Sequence, residues 1–263
     1  MTSQSAGGTL AGALRTWRTR RRVSQLELAA RAGTTQRHVS FIESGRSSPG
    51  RSMIIRLAES LEVPIRERNE LLLAAGFAPA YPQRDLDDPQ LAPVLAALER
   101  ILRGHLPFPA VIVDRQGDLV SANAGFHVLT RGVDAGLLVA PVSVPRVLLH
   151  PGGLAPHIVN LDEWAWHVID RVHAESLRNP NDRLRRLAEE LAGLAPPRPR
   201  QLPAQHLGFA VPLHLRLGER ELRLITTLTH FGTATDVTVA ELRLEAFLPA
   251  DDATSAALTE LVT

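Results

Sequence analysis

Apolar residues recur at helical spacing between residues 9 and 75, and this periodicity predicts five short helices. Two of them lie inside 24–45, which reads SQLELAARAGTTQRHVSFIESG, and the others cover 9–20, 51–61 and 64–75. Apolar positions along 90–103 form a wider helical stripe. From residue 109 onward the period shortens towards the alternation of β-strands, so a second structural class begins there.

The stretch 24–45 has the start and stop signals of two helices joined by a tight turn. Ser24 caps the first helix, and Glu27, three residues later, completes a capping box. Gly33 ends that helix, because glycine adopts the left-handed backbone conformation at little cost. Thr34 or Thr35 then caps the second helix.

Side-chain sizes within 24–45 favour a close crossing of these two helices. Ala29 is small where they touch, Gly33 makes the turn, and the β-branched Val39 packs back on the first helix beside Ile42. Small, glycine and β-branched residues at these offsets are the steric pattern of a helix-turn-helix. An ordinary helical hairpin is the alternative, which the agreement of spacing, caps and flanking helices disfavours.

The second helix of this pair carries outward side chains that suit DNA reading. They are Thr35, Gln36, Arg37 and Ser40. Glutamine and arginine have forked donors and acceptors that match base edges in the major groove. Phe41 also faces outward, where contact with a thymine methyl group and packing in the core both remain open.

Charge is divided unevenly along the chain, although the net charge is only +1. Residues 1–84 contain 13 Arg and 6 acidic residues, whereas residues 85–263 contain 16 Arg and 22 acidic residues. A basic N-terminal part (the head, residues 1–84) joined to an acidic C-terminal part (the body, residues 85–263) is typical of a nucleic-acid-binding domain followed by a domain that does not bind nucleic acid. Five arginines cluster at the end of the first helix: Arg15, Arg18, Arg20, Arg21 and Arg22. We expect this cluster, represented by Arg20, to contact phosphates together with Arg46, which follows the recognition helix.

The second half of the chain predicts an α+β domain. A proline-containing linker at 78–89 precedes the 90–103 helix, which docks either on this domain or on its copy in a dimer. A β-hairpin at 109–123 turns at Gln116-Gly117. Helices follow at 124–130, at 144–150, from Leu161 (capped by Asn160) and at 181–194, and three strands follow at 208–217, 221–229 and 237–247.

The order of these elements predicts two domains of different class. The first is a mainly α, five-helix helix-turn-helix domain, and the second is an α+β, PAS-like domain with one antiparallel sheet and helices over one face. The boundaries are a disordered start at 1–8, the DNA-binding domain at 9–77, a linker and connecting helix at 78–104, and the PAS-like domain at 105–260.

Several functional classes are disfavoured by what the sequence lacks. The chain has no cysteine, which excludes disulfides and suits a reducing cytoplasm. From its first residues and its apolar runs we expect neither a signal peptide nor a membrane span. Enzyme motifs such as HExxH and GxSxG are absent, so no catalytic residue, cofactor or metal is expected. A zinc site from His150 and His157 with His167 or His173 matches no standard spacing.

Two resemblances to known families rest on short motifs. AGTTQ at 32–36 and IESGR at 42–46 are similar to the turn and helix end of the lambdoid phage repressor family, also called the Xre family, and the resemblance covers all five predicted helices. It implies base contacts by Thr35, Gln36 and Arg37 and a phosphate contact by Gln25.

The second resemblance covers about residues 105–260. HPGGLAPHIVNLDEW at 150–164, TLTHFGTATDVTVAELRLEAF at 227–247 and LPADDAT at 248–254 resemble actinobacterial Xre-type regulators with a C-terminal ligand-binding domain of the MmyB type. That resemblance implies a PAS-like sensor with a buried apolar cavity, suited in at least some members to a fatty-acid-like ligand.

Aromatic side chains and histidines are the candidates to line such a pocket. The aromatic candidates are Phe126, Trp164, Trp166, Phe209 and Phe231, and the histidines are His150, His157, His167 and His230. Core packing is the alternative role for each aromatic residue. Trp164 and His167 lie three residues apart on a predicted helix and so share a face, which makes them the preferred pair.

The sequence therefore predicts a one-component transcription regulator. Its head binds double-stranded DNA at a pseudo-palindromic operator as a homodimer, because one short recognition helix supplies little specificity. Its body binds a small apolar molecule that shifts the spacing of the two heads. The alternative is a body that serves only as a dimerisation or protein-docking module.

Overall fold

The computed structural model describes residues 9–178, 181–199 and 210–262. The chain forms two compact units, one of Met1–Arg84 with Thr233–Ala240 and the other of Asp85–Gly232 with Glu241–Thr263. The start of the chain at 1–8, predicted to be disordered, lies outside the described residues. So do Phe209 and the first residues of the strand predicted at 208–217.

The first unit is helical, as the periodicity predicts. Its helices over residues 9–84 are α1 (Leu10–Arg20), α2 (Gln25–Arg31), α3 (Gln36–Glu43), α4 (Arg51–Ser60) and α5 (Ile65–Ala74). The apolar stripes of all five meet in one core, which includes Leu14, Trp17, Leu28, Val39, Ile42, Ile54, Leu57 and Leu72. The segment Thr233–Ala240 belongs to this unit through the ion pair of Arg84 with Asp236 at 2.7 Å.

The caps of α2 and α3 follow the sequence signals with one exception. Ser24 Oγ accepts the N–H of Glu27 at 3.1 Å, and Thr35 Oγ1 accepts the N–H of His38 at 3.2 Å. The exception is the second half of the predicted capping box, which is wrong. The Glu27 carboxylate accepts from Arg31, one turn along α2, at 2.5 Å. Gly33 has a φ of +62°, as a left-handed turn residue requires.

A buried ion pair joins the ends of the first three helices. Arg18 on α1 donates from Nε and Nη2 to the two carboxylate oxygens of Glu43 on α3, at 2.6 and 2.9 Å. Its Nη1 donates to the carbonyl of Val23 at 2.9 Å, and Gln25 on α2 donates to Glu43 at 2.8 Å. Only 3% of the Glu43 side chain is exposed. This network therefore fixes α3 against both helices that precede it.

The second unit is built on an antiparallel sheet. Its described strands are β1 (Ala110–Val113), β2 (Leu119–Ala122), β3 (Leu213–Leu217), β4 (Arg220–His230) and β5 (Arg243–Pro249), in the order β2-β1-β5-β4-β3. The first hairpin and the final three-stranded meander are both confirmed. The meander and the hairpin join because β5 pairs with β1, with Val111 opposite Glu245. This arrangement is the predicted PAS-like sheet.

Most helices of the second unit cover one face of this sheet. They are α7 (Ala124–Leu129), α8 (Val144–Leu149), α9 (Leu161–Arg178), α10 (Asp182–Leu194) and α12 (Asp252–Val262). Their core includes Phe126, Leu148, Trp164, Val168, Leu187 and Leu258 against Val111, Leu215, Leu224 and Phe247 of the sheet. The fold class is therefore confirmed. The C-terminal helix α12 has no counterpart among the predicted elements.

One helix, α6 (Ala92–Gly104), lies against the opposite face of the sheet. Leu98 and Leu102 pack there with Ile112, Leu244 and Ala246. The apolar stripe of the connecting helix thus docks on its own domain, which was one of the two alternatives that the sequence left open.

The strand predicted at 237–247 is wrong in its first half. Residues Val237–Glu241 form a short helix, α11, before β5 begins. Asp236 initiates it, because its carboxylate accepts the N–H groups of Thr238 and Val239 at 2.9 and 3.4 Å. Alternating valines and polar residues fit a strand, and this cap overrides that pattern.

Asn160 has a different role from the predicted helix cap. Its side chain binds the backbone at the start of the edge strand β3, donating to the carbonyl of Pro212, just before the strand, at 2.8 Å and accepting the N–H of His214 at 3.0 Å. The neighbouring N–H of Val159 donates to the carbonyl of His214 at 2.8 Å. This segment therefore covers backbone groups at an exposed sheet edge.

The substitution Gly153→Ala should destabilise the second unit. A Cβ at Gly153 would lie 2.2 Å from the carbonyl oxygen of Val147, and backbone atoms have no room to retreat. We expect a loss of about 1–3 kcal/mol in the free energy of unfolding. The control Gly193→Ala, on α10 with no atom within 4 Å, should be neutral or stabilising by up to ~1 kcal/mol. Urea unfolding followed by circular dichroism compares them, and equal stability of both variants would contradict the steric argument.

The substitution Glu43→Gln should destabilise the first unit by roughly 3 kcal/mol, because Arg18 then keeps a charge without a partner. Burial alone raises the pKa of Glu43, but hydrogen bonds from Arg18 and Gln25 outweigh it, so the pKa is lowered. The contribution of this carboxylate is therefore present above its unfolded-state pKa and is lost as the pH falls through the lower folded-state pKa.

Trp17 reports the unfolding of the first unit when Trp164 and Trp166 are both replaced by Phe, since the chain has three tryptophans. In that background, stability should fall less steeply below pH 5 in the Glu43→Gln variant than in the chain that keeps Glu43. The matched control is Glu70→Gln, an exposed carboxylate on α5. If Glu43→Gln lowers the free energy of unfolding no more than Glu70→Gln does, the ion pair does not stabilise the first unit.

Candidate nucleic-acid interface and ligand-binding core

The exposed side of α3 presents the predicted base-reading residues. Thr35, Gln36 and Arg37 are exposed, and Ser40 is half-buried. The opposite side of the same helix is fixed in the core, where Val39 and Ile42 are at most 1% exposed. The four side chains predicted from the sequence therefore share the accessible face of one helix. A single α-helix is the element that fits into the major groove of DNA.

Phe41 supports this surface rather than the core. Its half-buried ring lies under the guanidinium of Arg37, with 5.1 Å between Cζ and the ring centroid. Stacking of this kind restricts the arginine and leaves its planar donors pointing outward. The Phe41 carbonyl also accepts the N–H of Arg46 at 2.8 Å, which fixes the backbone where Arg46 leaves the helix.

The predicted phosphate contacts have different surroundings. Arg20 and Arg46 are exposed, and Arg20 lies 5.8 Å from the ring centroid of Trp17. Gln25 is half-buried, and one of its amide N–H groups is already used on Glu43. Among the residues that the structure describes, no carboxylate forms an ion pair with Arg20, Arg37 or Arg46.

Two members of the predicted arginine cluster serve the fold instead. Arg18 is bound to Glu43 in the core, and Arg21 donates to the carbonyl groups of Leu61 and Glu62 at 3.0 and 2.8 Å. The expectation that the whole cluster faces phosphates is therefore wrong for these two. Sequence spacing places all five arginines at one helix end, but it does not tell which of them turn inward.

The predicted ligand-pocket residues do not converge on one cluster. Phe126 and Trp164 are each 2% exposed in the core between the sheet and its main helix layer, where Phe126 packs on Phe247 at 6.3 Å between centroids. Phe231 packs with the cluster on the opposite face. His167 is exposed whereas Trp164 is buried, so these two side chains do not meet in one buried pocket.

Trp166 and Trp164 have contrasting environments on the same helix. The indole Nε1 of Trp166 donates to the carbonyl of Pro196 at 2.9 Å, and the guanidinium of Arg198 lies 4.8 Å from its ring centroid. The Nε1 of Trp164 is buried and has no hydrogen-bond partner. Buried polar groups are nearly always partnered, so this donor is an exception, as are the hydroxyl groups of Ser143 and Thr226.

A charged cavity of about 130 Å³ lies between α9 and the ends of β4 and β5. Its ionisable lining residues are Arg171, Glu175, Arg178, His230, Arg243 and Glu245. Of these, only His230 stood among the sequence candidates. The sequence did contain a sign of this cavity. Arg243, Glu245 and Phe247 are two residues apart along a predicted strand, so their side chains point to the same face of the sheet, and two charges lie on the face that carries the core.

A larger, open groove lies beside α6. Its volume is about 750 Å³, and its apolar lining includes Leu86, Leu95, Leu98, Ile112, Val120 and Pro141. The nearby Leu138 and Val139 are 43% and 68% exposed. In the described part of the chain, no helix is long and apolar enough to cross a membrane, and no group of three or more histidine or acidic residues is placed to hold a metal ion.

Comparison with protein families assigns both units. A model described as Helix-turn-helix matches residues 14–68, and one described as MmyB-like transcription regulator ligand binding domain matches residues 94–261. No curated protein matches the chain. A helix-turn-helix joined to a ligand-binding domain is the composition of a DNA-binding transcription regulator. With its ligand-binding domain covering more than half of its length, this chain belongs to the MmyB-like transcription regulators.

Proposed function

We propose that the chain is a one-component sensor that reads an operator with α3 and binds a small, apolar, fatty-acid-like molecule in its C-terminal domain. It acts as a homodimer, since two recognition helices on two half-sites supply the specificity that one lacks. Ligand binding favours one arrangement of the dimer and so changes operator affinity. The proposal places the protein in the cytoplasm, where DNA is accessible.

The DNA-reading part of the proposal is supported by the exposed face of α3. Gln36 and Arg37 combine accessible, forked hydrogen-bonding groups with a backbone held by a buried ion pair. Arg37, stacked on Phe41, suits a guanine edge, and Thr35 and Ser40 suit smaller contacts beside it. Arg20, Gln25 and Arg46 are assigned to phosphates.

The ligand part is supported above all by Trp164. An unpaired N–H in an apolar core costs about 1–3 kcal/mol, which a ligand oxygen would recover. The surrounding core contains Phe126, Val168 and Phe247, so a molecule that reaches this donor meets apolar side chains. A hydrocarbon chain with an oxygen at one end has both properties, which is why a fatty-acid-like ligand is proposed.

Arg37→Ala and Arg46→Ala should separate sequence reading from charge attraction. Loss of Arg37 should cost roughly 1–3 kcal/mol on the selected operator and much less on shuffled DNA. Loss of Arg46 should weaken the binding of both DNAs equally. It should also make the binding constant less dependent on salt, by about the amount expected for one lost phosphate contact. Fluorescence anisotropy at two salt concentrations measures these effects, on operator recovered from a random pool.

A third variant, Arg37→Lys, keeps the charge but removes the planar fork and the stack on Phe41. It should behave on the operator like Arg37→Ala and on shuffled DNA like the unchanged chain. Equal losses on the two DNAs for all Arg37 variants would contradict base reading.

Trp164→Phe should weaken binding of dodecanoate about fivefold to tenfold, because it removes the proposed donor to the carboxylate. In the unliganded domain, loss of the unpaired N–H favours stability and the space left by the smaller ring opposes it, so circular dichroism must first show that the variant is folded. Trp166→Phe is the matched control on the same helix; it removes the hydrogen bond to Pro196 and weakens the contact with Arg198. Isothermal titration measures affinity. Unchanged affinity in Trp164→Phe would argue against this donor.

Docking is the second candidate function, and the open groove beside α6 with exposed Leu138 and Val139 favours it. Native mass spectrometry of the purified protein separates the two candidates. A co-purified lipid that Trp164→Phe loses supports the sensor. A dimer without added mass, together with no dodecanoate binding, supports docking.

A further inference from the structure

The charged cavity beside α9 has a positive balance of charge. Its lining holds three guanidinium groups, on Arg171, Arg178 and Arg243, and two carboxylates, on Glu175 and Glu245. With the imidazole of His230 neutral, the net charge of the lining is +1. Aliphatic groups of Pro145, Val172, Leu184 and Leu228 complete the wall. The mixture of a cationic and an aliphatic wall suits an anion better than a neutral or cationic occupant.

The ion pairs around this cavity are loose. Arg171 lies 3.3 Å from Glu245, and Arg243 lies 3.7 Å from Glu175, whereas charge-assisted hydrogen bonds are usually about 2.7–2.9 Å. Arg243 also donates to the carbonyl of Asp114 at 3.2 Å. The side chains of Glu245 and Arg243 are only 8% and 14% exposed. Water therefore screens these charges poorly, and the lining has three guanidinium groups against two carboxylates.

One donor in this cluster has no acceptor. The Nε of Arg243 is buried, and no atom in the described part of the chain accepts its hydrogen. A guanidinium presents Nε–H and one Nη–H side by side, which is the geometry that grips two oxygens of one planar or tetrahedral anion. Arg243 lines the cavity, and this donor is unused there.

We propose that this cavity binds an oxyanion, either the carboxylate or sulfate-like end of an amphiphile or a free inorganic oxyanion. Arg243 supplies the directed donors, and Arg178, exposed at the end of α9, supplies a second guanidinium. Arg171 stays with Glu245 and orients the wall. The site does not require the domain's main ligand to be fatty-acid-like, because both sources of oxyanion present the same chemistry.

The imidazole of His230 serves as a reporter of this site. Partial burial of the ring and the positive charge of Arg243 lower the pKa of His230. The groups around it are Arg243 and Glu245 from β5 and Glu175 and Arg178 from α9. A bound anion offsets the charge of Arg243 and so raises this pKa. Oxyanion affinity should therefore increase as the pH falls through the pKa of His230.

The test uses the full chain and two anions, and the pH series from 5.5 to 8 uses sulfate, which keeps its charge over that range. Inorganic sulfate represents the free oxyanion, octanoate represents an amphiphile end, and octanamide is the neutral control of the same chain length. Binding is followed by isothermal titration at constant ionic strength, and the His230 ring is titrated by NMR with and without each anion. We expect one or both anions to bind and to raise the pKa of His230.

Arg178→Gln is the informative variant, because Arg178 is exposed and its loss should leave the fold intact. It should weaken anion binding roughly tenfold. Arg100→Gln makes the same change of charge at an exposed position on α6, against the opposite face of the sheet, and should leave binding unchanged. Arg243→Lys, which keeps the charge but loses the paired donors, should weaken binding at least as much as Arg178→Gln.

The outcomes separate this site from the Trp164 site. Sulfate binding that depends on Arg178 identifies a site for a free oxyanion. Octanoate binding that depends on both Arg178 and Trp164 shows that one ligand molecule contacts both the cavity and the Trp164 donor. Octanoate binding that depends on Trp164 alone, with no response of His230, overturns the cavity proposal and leaves the proposed function standing. Equal losses in Arg178→Gln and Arg100→Gln also overturn it, because they indicate only general charge attraction.

Discussion

The helix-turn-helix depends on one buried ion pair. Arg18 uses three donors within this network, two on Glu43 and one on the carbonyl of Val23, and Gln25 adds a third hydrogen bond to the Glu43 carboxylate. These contacts join the end of α1, the start of α2 and the end of α3. A buried charge with a fully matched partner resists small shifts, because any separation strands it in a poorly hydrated site. The exposed edge of α3 therefore has a fixed position relative to its own unit.

In the ligand-binding domain, the sheet separates two layers of different composition. On one face α6 closes an apolar layer over β1 and β5. The other face carries the larger core and, towards the start of β5, the charged side chains of Arg243 and Glu245. Helix α9 runs along this face from Trp164 to Arg178, about 21 Å at the usual helical rise. Two buried donors without partners, on Trp164 and Arg243, thus lie in the layer that this helix covers.

Much of the fold follows from local patterns, and the failures have specific causes. The five helices of the first unit, the first hairpin and the meander are readable because apolar period and turn residues agree there. Residues Val237–Glu241 were misread because the carboxylate of Asp236 caps a helix against a strand-like pattern. Asn160 precedes α9 as a cap would, but its amide is used on β3, a strand more than 50 residues away in sequence. Local patterns do not contain such distant partners.

The sequence by itself determined the two domain classes, the recognition helix and the residues on its outward edge, because helical spacing fixes which side chains turn away from a core. Only the tertiary structure decided which arginines are free to meet DNA, since Arg18 and Arg21 bind groups on distant helices while Arg20 does not. It also decided that Trp164 is buried with an unused donor while His167, three residues on, faces outward. Partner choice across long sequence separations depends on packing in three dimensions, and spacing along the chain does not encode it.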